Sequence, residues 1–158
     1  MHTVEIQIFT FSELSDRAKE AARDWWRSCD PYPWSAENRD SIEKFCDKYG
    51  ARLKDWTVGP YAPIDYRLEM PPEMLRGVKL REINRDAMPT GYHLDCALYQ
   101  TFYDEWKRTG DPRAAFDAAI HAAFHAWRED WEYSLSDKAV DESLEINEYT
   151  FTADGRIF

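Results

Sequence analysis

The chain has 158 residues, the length of one ordinary domain, and carries 20 Lys and Arg against 30 Asp and Glu, a formal net charge of −10. That balance argues against a direct grip on nucleic acid or anionic lipid, because such binding needs Lys and Arg to displace counterions. With 44% apolar and 15% aromatic residues, the chain is too rich in core-forming side chains to be a disordered segment.

The first element expected is a strand over residues 3–11, where Val4, Ile6 and Ile8 alternate with Glu5, Gln7 and Phe9. Phe9 and Phe11 fall on the opposite face, which predicts cover on both faces near the strand end. Ser15 is the expected N-cap of a helix reaching Ser28, with Ala18, Ala21, Ala22 and Trp25 on its apolar side and Trp26 alongside. Asp30-Pro31-Tyr32-Pro33 stops it, since proline removes a donor and restricts its neighbour. A second helix follows Ser35: Ile42, Phe45, Cys46 and Tyr49 have i, i+3, i+4, i+7 spacing, and Gly50 stands where a left-handed C-terminal residue belongs.

Residues 52–58 and 61–70 read as strands parted by Gly59-Pro60, with Pro63 demoting the start of the second to edge or loop. In residues 71–90, Pro71-Pro72-Glu73 has the form of a helix start, opposed by Gly77 and Pro89. Leu94, Leu98, Phe102 and Trp106 predict a third helix to Thr109, ended by Gly110. Asp111-Pro112 supplies an N-cap and a first-turn proline to the strongest helix, whose stripe is Phe116, Ile120, Ala123, Phe124, Trp127 and Trp131. Ser136 with Asp137 caps a short helix over 137–145. Residues 148–152 alternate as a last strand, and Asp154-Gly155 marks a hairpin-type turn before Arg156, Ile157 and Phe158. This order predicts an α+β fold: a single domain over 1–158, with a small antiparallel sheet that includes the N- and C-terminal strands and packs against several helices.

The start of the chain has no basic segment followed by an apolar run, and no stretch approaches the ~18 apolar residues of a membrane span. The cysteines, Cys29, Cys46 and Cys96, are odd in number and lack C-x-x-C spacing, which points to reduced thiols in a cytoplasm.

For chemistry, Asp117, His121, His125 and Glu129 recur every four residues along the longest helix. Two His at i, i+4 with carboxylates is a metal-ligand pattern, and it raises the alternative of a metal-dependent enzyme using His121 and His125. The spacer lacks the Glu of H-E-x-x-H, and a solvated face beside the apolar stripe is the plainer reading. No G-x-S-x-G, P-loop or G-x-G-x-x-G is present, and Cys96 with His93 has no identifiable third group. No catalytic residue, bound metal or cofactor is therefore expected. Trp25-Trp26 and Trp127 with Trp131 read as core before they read as a stacking platform. Trp34, Trp56, Tyr61, Tyr66 and Tyr92, near loops, are better candidates for interface anchors.

The charge is segregated. Residues 129–154 hold nine acids and one base, Lys138, whereas residues 67–85 hold five bases and three acids. A solvated helical face gives this count. So does a surface that docks on a basic partner through Glu129, Asp130, Glu132, Asp137, Asp141, Glu142, Glu145 and Glu148. In the docking reading the four acids of the short helix project outward together.

Two segments, FSELSDRAKEAARDWW over residues 11–26 and SDKAVDESLEINEYTFTADGRIF over 136–158, cover about a quarter of the chain. They resemble the two ends of a family of small acidic bacteriophage and prophage proteins, commonly labelled antitoxins of a toxin–antitoxin stability system. Residues 31–111 depart from that family's Gly- and aromatic-rich middle. The resemblance implies a mobile element in a bacterial cytoplasm and a protein that acts by binding host proteins. Some antirestriction and anti-CRISPR proteins present carboxylates where a nuclease or effector expects phosphates. The expected function is thus non-enzymatic: inhibition of a basic, nucleic-acid-handling host protein, or neutralisation of a cognate toxin. No direct contact with nucleic acid or membrane is expected.

Overall fold

The computed structural model describes residues 5–29 and 31–158. Its elements are β1 (Phe9–Thr10), a 3-10 turn (Phe11–Glu13), α1 (Asp16–Ser28), α2 (Ser35–Tyr49), β2 (Arg52–Thr57), β3 (Asp65–Glu69), a second 3-10 turn (Leu80–Glu82), α3 (Leu94–Thr109), α4 (Pro112–Ser134), α5 (Asp137–Ile146) and β4 (Thr150–Phe151). The layout is α+β, and its strands are divided between two antiparallel ribbons, β1 with β4 and β2 with β3. Packing separates two compact units. One is built by the chain ends, up to Tyr32 and from Glu132; the other is Pro33–Trp131.

In the terminal unit, Ser15 caps α1, its Oγ accepting from the Ala18 N–H at 3.3 Å, and Ser136 caps α5 by the same bond from Ala139. Ala18 and Ala22 of α1, four apart, meet Val140 and Leu144 of α5, also four apart, around Phe11, Leu14 and Phe151. Small side chains on α1 let the two backbones approach. Trp25, Trp26 and Tyr149 close the rim, with ring centroids 5.4 Å apart for Trp25–Tyr149 and 5.7 Å for Trp26–Tyr149. Ala21, expected on this apolar side, is exposed.

The terminal strands pair as Phe9↔Phe151 and Thr10↔Thr150, and both are shorter than their alternation predicts. Thr3 and Val4 lie outside the described residues, as does Asp30 of the helix stop. Ile6 and Ile8 are 57% and 49% exposed. The register explains why: residues before Phe9 would need partners after Phe151, where the chain instead turns back on itself. There Thr152 N–H donates to Arg156 O at 2.9 Å, and Phe151 bridges Ile157. At its other end β4 starts late because Glu148 takes a left-handed conformation, φ 54°.

The hairpin turn itself leans on α1. Gly155 has φ 85°, and a Cβ there would fall 2.1 Å from Ala18 O. Only glycine satisfies both conditions.

In the central unit, Ile42, Phe45, Cys46 and Tyr49 of α2 are buried as their spacing predicts, and Gly50 ends the helix at φ 81°. Phe45 stacks on Phe116 of α4 at 4.9 Å and meets Tyr99 and Phe102 of α3 edge-on. Asp111 Oδ1 accepts from the N–H groups of Arg113 and Ala114, so it caps α4. The β2–β3 ribbon places Trp56 opposite Tyr66, and these rings lie on Trp127 (5.2 Å) and Phe124 (5.0 Å) of α4.

Residues 71–93 form no α-helix. Leu75 and Gly77 both have positive φ, which breaks the run that Pro71-Pro72-Glu73 opens. Polar ties hold this segment: Arg113 donates to Pro71 O and Met70 O, Arg85 pairs bidentately with Asp104 at 2.8 Å, and Thr90 donates twice to buried Asp95 at 2.9 Å.

Candidate functional site

The acids of α5 divide by helical phase. Asp137 and Asp141, four apart, lie beside α1, where Arg23 and Arg27 are also four apart. Arg23 Nε and Nη2 donate to Asp141 Oδ1 and Oδ2 at 2.7 and 2.8 Å, a bidentate pair made by a side chain only 14% exposed. Arg27 pairs with Asp137 and also donates to Leu135 O at 3.0 Å. The hydrogen bond to Asp141 raises the Arg23 pKa against the cost of burial, and the bond from Arg27 holds the Asp137 carboxyl below its ordinary value of 3.8. The four acids of α5 therefore do not project outward together: two are ties between helices.

Glu142, Glu145 and Glu148 are different. All three are exposed and make no ion pair among the described residues. Beside them Ile146 is 78% exposed. Glu145 and Glu148 also line a cavity of about 580 Å³ with Phe11, Leu144, Tyr149 and Thr150. The remaining expected residues lie along α4: Glu129 is exposed, while Asp130 and Glu132 each engage a neighbour.

Sequence reasoning missed Arg23 and Arg27. The signal that finds them is the matched spacing of two bases on one amphipathic helix and two acids on another, but it becomes visible only once the helices are known to pack together.

On α4, His121 Nε2 and His125 Nε2 are 3.2 Å apart. Arg128 Nη2 stands 3.2 Å from His125 Nδ1, and burial, followed by the charges of His121 and Arg128, lowers the His125 pKa from 6.5. Asp117 instead accepts from Tyr66 Oη at 3.2 Å. The structure thus brings the two imidazoles together without the two carboxylates. Among the described residues no three His, Cys, Asp or Glu side chains are grouped to hold a metal.

Cys46 is buried, which pushes its thiol up to about 12, and Cys96 Sγ lies 3.2 Å from Met88 Sδ. Of the loop aromatics, Trp34, Trp56 and Tyr61 are exposed, whereas Tyr66 and Tyr92 are half-buried. Two of the bases between 67 and 85 are paired at home, Arg67 with Asp55 at 2.7 Å and Arg85 with Asp104.

The fold is an α+β arrangement of two compact units, one of which carries an exposed carboxylate row without ion pairs among the described residues. No family model, curated protein or solved structure matches the chain. Among the described residues no helix is long and apolar enough to cross a membrane.

Proposed function

We propose that the chain is a non-enzymatic protein of phage or prophage type that binds a basic, nucleic-acid-handling host protein in the bacterial cytoplasm and inhibits or neutralises it. The observation that carries this reading is the row Glu142, Glu145 and Glu148, exposed and without ion pairs among the described residues, next to equally acidic positions that are consumed internally. Three carboxylates on one helix end and the turn after it can occupy Lys and Arg side chains that otherwise meet phosphates. The two segments that resemble the phage family, 11–26 and 136–158, both belong to this terminal unit, which supports treating the unit as the functional module.

The test is affinity capture from a bacterial lysate with wild-type bait and the E142K/E145K/E148K variant. The variant should lose its basic partners, and capture by the wild type should fade as salt rises. An unchanged partner set would sink the proposal. Asp137 and Asp141 are unsuitable for this test, since reversing them breaks the pairs with Arg27 and Arg23.

A further inference from the structure

We propose that His121 and His125 form a two-imidazole seat for a zinc ion on the exposed side of α4, the remaining coordination positions being filled by water. A tetrahedral zinc with Zn–N bonds of 2.0–2.1 Å sets neighbouring nitrogens about 3.3 Å apart. The two Nε2 atoms stand at 3.2 Å, close to the separation that such an ion asks for. Imidazole nitrogens suit zinc, whereas magnesium takes oxygen ligands in near-octahedral geometry. Each imidazole must bind through a deprotonated Nε2.

One group stands in the way. Arg128 donates to His125 Nδ1 at 3.2 Å, which places the His125 ring proton on Nε2, pointing at His121. Zinc at Nε2 requires that proton to leave and Nδ1 to take one up from solvent, with no net change. Arg128 must then release Nδ1; it keeps its bond to Ala62 O at 3.3 Å. Arg128 therefore acts as a restraint on the seat, through both its charge and its hydrogen bond. The site lies within the central unit.

Calorimetric titration of the full chain with Zn²⁺, with Mg²⁺ as comparison, tests this. One zinc should bind per chain and magnesium should not. His121→Ala and His125→Ala should each weaken zinc by at least the roughly 10–100-fold that losing a group hydrogen-bonded to a ligand costs. Arg128→Met should tighten it. His121 is exposed, so its replacement spares the core, and far-ultraviolet circular dichroism verifies the fold of each variant. Three results overturn the proposal: no zinc binding at concentrations on the order of 1 mM, an Arg128→Met affinity no higher than the parent's in a folded variant, or undiminished binding by the His121→Ala/His125→Ala double variant. The last places the ion elsewhere, on the remaining histidines, the cysteines or carboxylates.

Discussion

Gly155→Ala should be among the most damaging single-methyl additions in the chain. Two costs combine. At φ 85° an L side chain loses about 1–2 kcal/mol relative to glycine. The new Cβ would also sit 2.1 Å from Ala18 O, whereas a carbon rests against a carbonyl oxygen at about 3.3 Å. The turn must retreat by more than an ångström from α1. That strains the bonds that close the hairpin, Gly155 N–H to Thr152 O and Thr152 N–H to Arg156 O, both 2.9 Å; each is worth about 1 kcal/mol. The sum is about 3–4 kcal/mol, a loss in melting temperature on the order of 6–16 °C. Gly110→Ala is the control: its φ is 73° but nothing lies within 4 Å of the added methyl, so only the conformational cost of about 1–2 kcal/mol applies. Urea and thermal unfolding of both variants give the comparison. Equal losses would show that the contact with Ala18 contributes nothing.

Phe45→Ala should cost about 3–5 kcal/mol, because the ring is fully buried between Phe116, Tyr99 and Phe102; a loss below about 1 kcal/mol in urea unfolding would contradict that packing. Asp141→Asn should cost about 1–2 kcal/mol, since it removes the charge from a bidentate bond to Arg23, whose side chain is only 14% exposed, and a double-mutant cycle with Arg23→Met should recover a coupling of similar size. For pH, the depressed carboxyls of Asp137 (bonded by Arg27) and Glu13 (bonded by Thr10 N–H) contribute stability that is fully present above their ordinary values of 3.8 and 4.5 and is lost as pH falls through their lowered folded values. Asp137→Asn should therefore lower stability at neutral pH and flatten its acid dependence below about pH 4, read from urea midpoints across that range.

The helices were legible because each carries its own punctuation. Ser15, Gly50, Gly110, Asp111 and Ser136 stand at ends the structure confirms, and the 3.6-residue stripes of α2 and α4 face the core. The strands were less so. Alternation measures fitness for a ladder, but a ladder needs a partner of equal length. Residues 5–8 have the pattern and no partner, because the chain after Phe151 is already in its turn. Local sequence left residues 71–90 undecided between the helix start of Pro71-Pro72-Glu73 and the breaks at Gly77 and Pro89, and it carried no signal that Leu75, a buried non-glycine residue, takes positive φ.

Charge was the feature most easily counted and least easily placed. A net of −8 over residues 129–154 treats nine carboxylates as equivalent, yet what a carboxylate can offer a partner depends on who already holds it. Asp137 and Asp141 are held by Arg27 and Arg23, Asp154 by Arg156 at 3.1 Å, and Asp130 and Glu132 each have a neighbour. The bases that hold the first three lie outside the counted window, on α1 and in the C-terminal turn, so no window sum could include them. What is left for a partner on α5 and the turn after it is Glu142, Glu145 and Glu148. A partner that reads the whole acidic segment as a field should feel its net charge at a distance, because pairing across a few ångströms removes the long-range field only of the paired groups. A partner that forms close ion pairs can use only those three. The two modes separate experimentally: neutralising Glu142, Glu145 and Glu148 should slow association in the first case and speed dissociation in the second.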